Sequence, residues 1–263
     1  MDYLPSLARL PDARCGLGWR WDRPGEGELL DVRDGLYRCL EEELQAAAEL
    51  GEMSEPARLL AGAQEAFGEL RGILAAVPPA LLDKEPGPGE WSVRQTLRHV
   101  LETELSYRVN TLHALGRGPL DPLVVPREQR PQVAIDELGG TLSEVVERIA
   151  DERRTTDGAL GGVPAPLLAR PSLWAGFEVD VRFRIGRFAG HLVEHTVQVE
   201  KALHGLHHHP GEAALISRRI SAARGAHEHR SAPGRLLALD AHHREVLRAA
   251  LASPAARLPE SVQ

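Results

Sequence analysis

The chain has 263 residues, enough to bury a substantial core in one large domain or in one domain extended by helices at its ends. Its 31 basic and 38 acidic residues leave a net charge of -7, which gives no general attraction to a phosphate backbone; with no local basic patch, nucleic acid is excluded and a small-molecule partner is favoured. Cys15 and Cys39 form neither a disulfide framework nor a metal-ligand spacing, no apolar run approaches the roughly 18 residues of a bilayer span, and the start Met1-Asp2-Tyr3-Leu4-Pro5 lacks a secretory pattern, so a cytoplasmic protein without a membrane partner is expected.

Residues 1–26 carry Pro5, Pro11 and Pro24 with glycines around Trp19 and Trp21, and read as an irregular arm. From Glu28 to about Leu50, Leu29, Val32, Leu36, Leu40, Leu44 and Ala47 recur at helical spacing and predict a first helix. A second runs from about Pro56 to Val77 on Leu59, Leu60, Ala63, Phe67, Leu70 and Leu74, and Pro78-Pro79 ends it. After a turn-rich stretch, Ser92 is an N-cap whose capping box Gln95 completes, so a third helix starts at Val93. It runs to about Leu115 with Val93, Leu97, Val100, Leu101, Leu105 and Leu112 as its buried stripe. A fourth is expected over about Val133 to Thr156, with Leu138, Leu142, Val145 and Ile149 inward.

In the segment Val179 to Leu206, Val179, Val181, Phe183 and Ile185 alternate with charged residues as in a strand. From Ile185 the helical period takes over, with Ile185, Phe188, Leu192, Val199 and Leu203 on one stripe. One helix from about Val179 is expected, because a solitary strand has nothing to pair with. Two weaker helices, about Glu212 to Ala226 and Pro233 to Ala252, follow Pro210. These elements predict an all-α fold, a four-helix bundle with extra N- and C-terminal helices, in which sites are built from side chains on facing helices. The expected organisation is an arm and helix in 1–50, the bundle in 51–210 and a helical extension in 211–263.

His191-Leu192-Val193-Glu194-His195 carries the chemistry. On a helix the two imidazoles lie about 40° apart, close enough for their ring nitrogens to reach one divalent ion. A third ligand is available in His99, which flanks the stripe of the third helix and shares its face with Thr103, Ser106 and Asn110, small polar groups suited to a wet cavity. Three neutral imidazoles with open coordination positions are a catalytic rather than a structural arrangement, able to bind water or thiol and lower its pKa.

Pro88-Gly89-Glu90-Trp91-Ser92 before His99, and Phe188-Ala189-Gly190-His191-Leu192-Val193-Glu194-His195-Thr196-Val197-Gln198 much later, resemble the DinB-like superfamily, close to its mycothiol and bacillithiol S-transferase members, over about Arg58 to Leu206. The resemblance implies a DinB-type four-helix bundle. It also implies a histidine triad, here His99, His191 and His195, holding a divalent metal, commonly zinc or nickel. Glu104 falls at a recurrent acidic position, and Trp91 and Gln198 at positions with packing and supporting roles. The implied activity is a metal-dependent thiol S-transfer, in which a low-molecular-weight thiol is activated as a metal-bound thiolate for attack on an electrophile.

Two other readings stand beside it. The pattern His191-x-x-Glu194-His195 also occurs in inverted zinc peptidases, where the glutamate is the general base. That hydrolase reading leaves His99 unexplained, and helical geometry turns Glu194 away from the apolar stripe toward solvent. A non-catalytic metal-binding or scaffold protein, with a homodimer packed through the terminal helices, is the other. His204, His207, His208 and His209 read as a polar helix C-terminus, and His227, His229, His242 and His243 have no partner motif.

Overall fold

A computed structural model describes residues 3–16, 18–20, 29–130 and 138–252. Two short helices, α1 (Leu4–Ala8) and α2 (Asp12–Cys15), open the chain, so the arm expected to be irregular is partly helical. Pro5 fits the first turn of α1, where a missing N–H breaks no intrahelical bond. The antiparallel pair β1 (Gly18–Arg20) and β2 (Leu29–Asp31) leads into α3 (Val32–Ala48). This helix starts at Val32 rather than Glu28 because Asp31 caps it in a reciprocal box with Asp34. It buries Val32, Leu36, Cys39, Glu43 and Ala46, while Leu44, expected inward, is exposed. Steps of four residues overshoot a helical turn by about 40°, so a row through Leu36, Leu40 and Leu44 rotates off the core face.

Four helices form the bundle: α4 (Glu55–Ala76), α5 (Val93–Gly116), α6 (Leu142–Leu160) and α7 (Val181–Gly205). Ser92 and Gln95 make the capping box expected of α5, and its stripe holds from Val93 to Leu101, but Leu112 is exposed and Thr111 and Ala114 are buried in its place. Helix α6 begins at Leu142 and not near Val133: residues 131–137 lie outside those described, and Gly140, at φ 93°, precedes the Thr141–Glu144 capping box that starts the helix. Leu138 is buried as expected, from a position before the helix.

Of the strand-like alternation Val179, Val181, Phe183 and Ile185, only Val179 lies in a strand; the other three are in α7, as the helical reading expects. β3 (Pro171–Trp174) pairs antiparallel with β4 (Phe177–Asp180), Ser172 opposite Val179, through a turn in which Ala175 and Gly176 both have positive φ, 46° and 90°. Two successive positive φ values make a type I′ turn, whose twist matches the paired strands. The helix expected from about Val179 starts two residues later, at Val181: Val179 pairs with Ser172, and Asp180 ends the strand by accepting from the Phe183 amide as the N-cap of α7.

Helices α8 (Glu212–His227) and α9 (Pro233–Ala252) complete the chain. One core, with Phe67, Leu97, Leu101, Ile149, Ile185 and Phe188 among its members, fills the bundle. A second joins Leu7, Cys15, Val32, Leu36 and Cys39 to Ala213, Ile216, Ile220 and Val246, so the two ends of the chain meet over α8. Between α3, α8 and α9 lies a buried polar network of Glu43, Arg224, His227 and His243 that also reaches Tyr3. No helix among the described residues is long and apolar enough to cross a membrane.

Helices α4 and α8 approach so closely that only glycine fits the seam. A methyl group on Gly68 would stand 2.3 Å from the Ser221 carbonyl oxygen, and one on Gly225 2.2 Å from that of Gln64. Gly225→Ala is expected to push the helices apart and lower stability by about 1–3 kcal/mol, the usual cost of overpacking. Gly62→Ala, also in α4 but with open space at its Cβ, should instead raise stability by about 0.5–1 kcal/mol, since alanine is the better helix former. Chemical denaturation of the two variants checks the opposite signs.

Candidate metal centre

Helices α5 and α7 face one another across the bundle, and their polar edges supply the site. His191 and His195 lie on successive turns of α7, both buried, while His99 on α5 is half-buried. Three nitrogens, one from each ring, lie within 4.8 Å of one another. The Nε2 atoms of His191 and His195 are 2.8 Å apart, and those of His99 and His191 3.3 Å. Three ligands at the usual zinc–nitrogen length stand about 3.3 Å apart in a tetrahedral shell, so small ring rotations suffice for one ion to fit among them. Among the described residues no other group of three His, Cys, Asp or Glu side chains is placed to do this.

The surroundings keep the two α7 imidazoles neutral and aimed. Burial, joined by the charges of its neighbouring histidines and Arg187, pushes His191 down to about 3. Burial also lowers His195, partly offset by its bond to Gln198. In that bond His195 Nδ1–H donates to Gln198 Oε1 at 2.7 Å, which leaves the Nε2 lone pair facing the other two rings. Trp91 packs against His99 with ring centroids 5.3 Å apart, and Tyr107 against His191 at 5.4 Å.

An open cleft of about 610 Å³ leads to the three rings, lined also by Thr103, Ser106, Tyr107, Trp174 and Arg187. A second depression on the other side of His195 is bounded by Gly89, Trp91, Gln198 and Lys201. Glu194 borders the first cleft but is 56% exposed and paired with Arg187 at 2.6 Å, on the solvent side expected for it. Glu104 is buried elsewhere: its carboxylate accepts from Arg153 Nη1 at 2.8 and 3.0 Å, tying α5 to α6. His204, His208 and His209 border a separate cavity at the end of α7, and their ring nitrogens do not converge as a group of three.

Three cleft residues escaped the sequence pattern. Trp174 reaches the site from a hairpin that periodicity did not reveal, and Tyr107 was hidden among the apolar residues of α5. Arg187 carried a usable signal, its spacing of one helical turn before His191.

Fold and site together define a helical bundle with an imidazole-lined cleft that can hold a metal ion. The model of the DinB superfamily matches residues 63–199, just over half of the chain, and the protein belongs to that superfamily. Among solved structures, YfiT from Bacillus subtilis, described as a probable metal-dependent hydrolase with an unusual four-helix bundle topology, aligns with 60% of this chain and 93% of its own, at 13% identity and a TM-score of 0.49. No curated protein matches the chain.

Proposed function

We propose that His99, His191 and His195 bind one divalent ion, zinc or nickel, and that the protein is a metal-dependent S-transferase acting on a low-molecular-weight thiol and an electrophile. The convergence of three ring nitrogens at the end of an open cleft carries this reading. Three protein ligands leave a coordination position for a substrate, unlike a closed four-ligand structural site. The ion, when bound, supplies a thiol held as thiolate at neutral pH. The chain's own residues do the rest: Gln198 orients His195, and Tyr107 and Trp174 wall the cleft so that a second substrate is confined beside the rings. Burial raises the Tyr107 hydroxyl to about 12, so it remains a hydrogen-bond donor at neutral pH.

A peptidase that uses Glu194 as general base fits less well, because that carboxylate is exposed and engaged by Arg187. The deciding experiment incubates metal-loaded protein with a panel of cellular thiols and monobromobimane. Faster adduct formation with at least one thiol, lost in His99→Ala, is the expected result. Absence of acceleration with every thiol would overturn the reading, and peptide cleavage abolished by Glu194→Gln would replace it with the hydrolase.

A further inference from the structure

Arg187, His191 and His195 stand at four-residue intervals on α7 and all border the same cleft. The arginine is therefore one turn, about 6 Å along the axis, from the first ring. Its guanidinium carbon lies 5.7 Å from the Trp174 ring centroid, and Tyr107 lines the same cleft. Tyr107 and Trp174 meet edge to face at 4.8 Å, so both walls around the cation are fixed by each other.

The neighbouring Arg184 shows the contrast. It is buried, and its donors go to the Ser172 hydroxyl and the Leu173 carbonyl, making it a strut for the hairpin. Arg187 is 26% exposed and opens on the cleft, and its carboxylate partner, Glu194, is 56% exposed. An exposed ion pair of this kind is weak and exchangeable. A guanidinium presents five donors in a planar fork, of which the bond to Glu194 occupies only part.

We propose that Arg187, assisted by the Tyr107 hydroxyl, is a carboxylate-recognition subsite of the histidine cleft, and that a substrate bound there carries its carboxylate about one helical turn from the group presented to the ring nitrogens. As a statement about substrate, this rests on the S-transferase reading; as a statement about anion binding, it does not. The fork matches a planar carboxylate. Glu102 and Glu194 on the same rim repel a dianion such as phosphate more than a monoanion that takes the place of Glu194.

The first test needs neither metal nor thiol. Nitrogen-15-labelled, metal-free protein is titrated with propionate and with its uncharged amide while the side-chain resonance of Arg187 is followed. Propionate is expected to bind about ten-fold tighter than propionamide, the premium of a hydrogen bond to a charged group. Arg187→Gln should erase the preference, monitored through the Trp174 indole, and Glu194→Gln should increase it several-fold by removing the internal competitor. Equal binding of acid and amide, a preference that survives Arg187→Gln, or weaker binding in Glu194→Gln would each overturn the subsite. The second test loads the protein with cobalt and compares 3-mercaptopropionate with 2-mercaptoethanol through the thiolate-to-cobalt absorption. Tighter binding of the acid in wild type but not in Arg187→Gln is expected. A band of equal affinity for both thiols would sink the subsite and leave the thiol reading standing. A propionate preference without a band for either thiol would do the reverse.

Discussion

Replacing His99 by alanine should remove stoichiometric divalent metal from the protein, and His191→Ala or His195→Ala should do the same. The three nitrogens lie within 4.8 Å of one another, and no fourth His, Cys, Asp or Glu joins that group among the described residues. Deleting one ring therefore leaves two ligands on a site that began with three. Loss of an orienting partner typically weakens metal binding about 10–100-fold, so loss of a ligand should exceed that range, whereas Gln198→Leu should fall within it. Gln198 accepts the His195 Nδ1–H at 2.7 Å and fixes which nitrogen carries the lone pair. His208→Ala is the control, since that ring borders a different cavity. Elemental analysis after gel filtration, with calorimetric titration for the intermediate variant, reads all of these. Full occupancy without His99 would remove the triad and the function proposed on it.

The site was legible because its determinants are local. Two histidines four apart on a helix must share a face, and Ser92 with Gln95 fixes where the α5 helix begins and hence the phase of His99. What periodicity could not supply was pairing and depth. The strand at Val179 looks solitary in one dimension because its partner lies across a turn whose positive φ at Ala175 no side-chain pattern announces. Leu44 and Leu112 are apolar and helical yet exposed, while Glu43 and Thr111 beside them are buried: Glu43 finds its partners on α8, and the Thr111 hydroxyl donates back to the Tyr107 carbonyl of its own helix, so hydrogen bonding decides depth as much as hydropathy does. The seam between α4 and α8 is hidden for a related reason: Gly68 and Gly225 read as weak helix formers until the close approach that needs them is seen.

Glu43→Ala is expected to be strongly destabilising, by about 3–5 kcal/mol, the cost of breaking a buried ion pair by removing one partner. The Glu43 side chain is fully buried and receives Arg224 Nε at 3.0 and 2.8 Å, Arg224 Nη2 at 2.7 Å and His227 Nε2 at 2.6 Å. His243 Nε2 lies 3.4 Å away, and its Nδ1 meets the Tyr3 hydroxyl at 2.7 Å. Removing the carboxylate leaves the buried Arg224 with Asp240, at 2.9 Å, as its one acidic partner among the described residues. The double variant Glu43→Leu with Arg224→Met should be much less affected than either single one, because well-packed apolar replacements avoid the desolvation that the ion pair must offset. The same cluster sets a pH dependence. Burial alone would raise the Glu43 carboxyl, but the bonds from His227 and Arg224 outweigh it and hold it below its ordinary value. A carboxyl lowered in the folded state stabilises above its ordinary pKa and loses that contribution as pH falls through the folded value. His243 is lowered by burial to about 4 from 6.5. The unfolded chain therefore takes up this proton first on acidification, and the neutral buried ring contributes fully above 6.5 and loses about 3 kcal/mol as pH falls to 4. His191 acts with the same sign in metal-free protein, so the wild type is compared with His243→Gln under one metal condition. Urea midpoints measured across this range should fall more steeply with acid in the wild type than in His243→Gln; parallel curves would show that the ring is not held neutral by its burial.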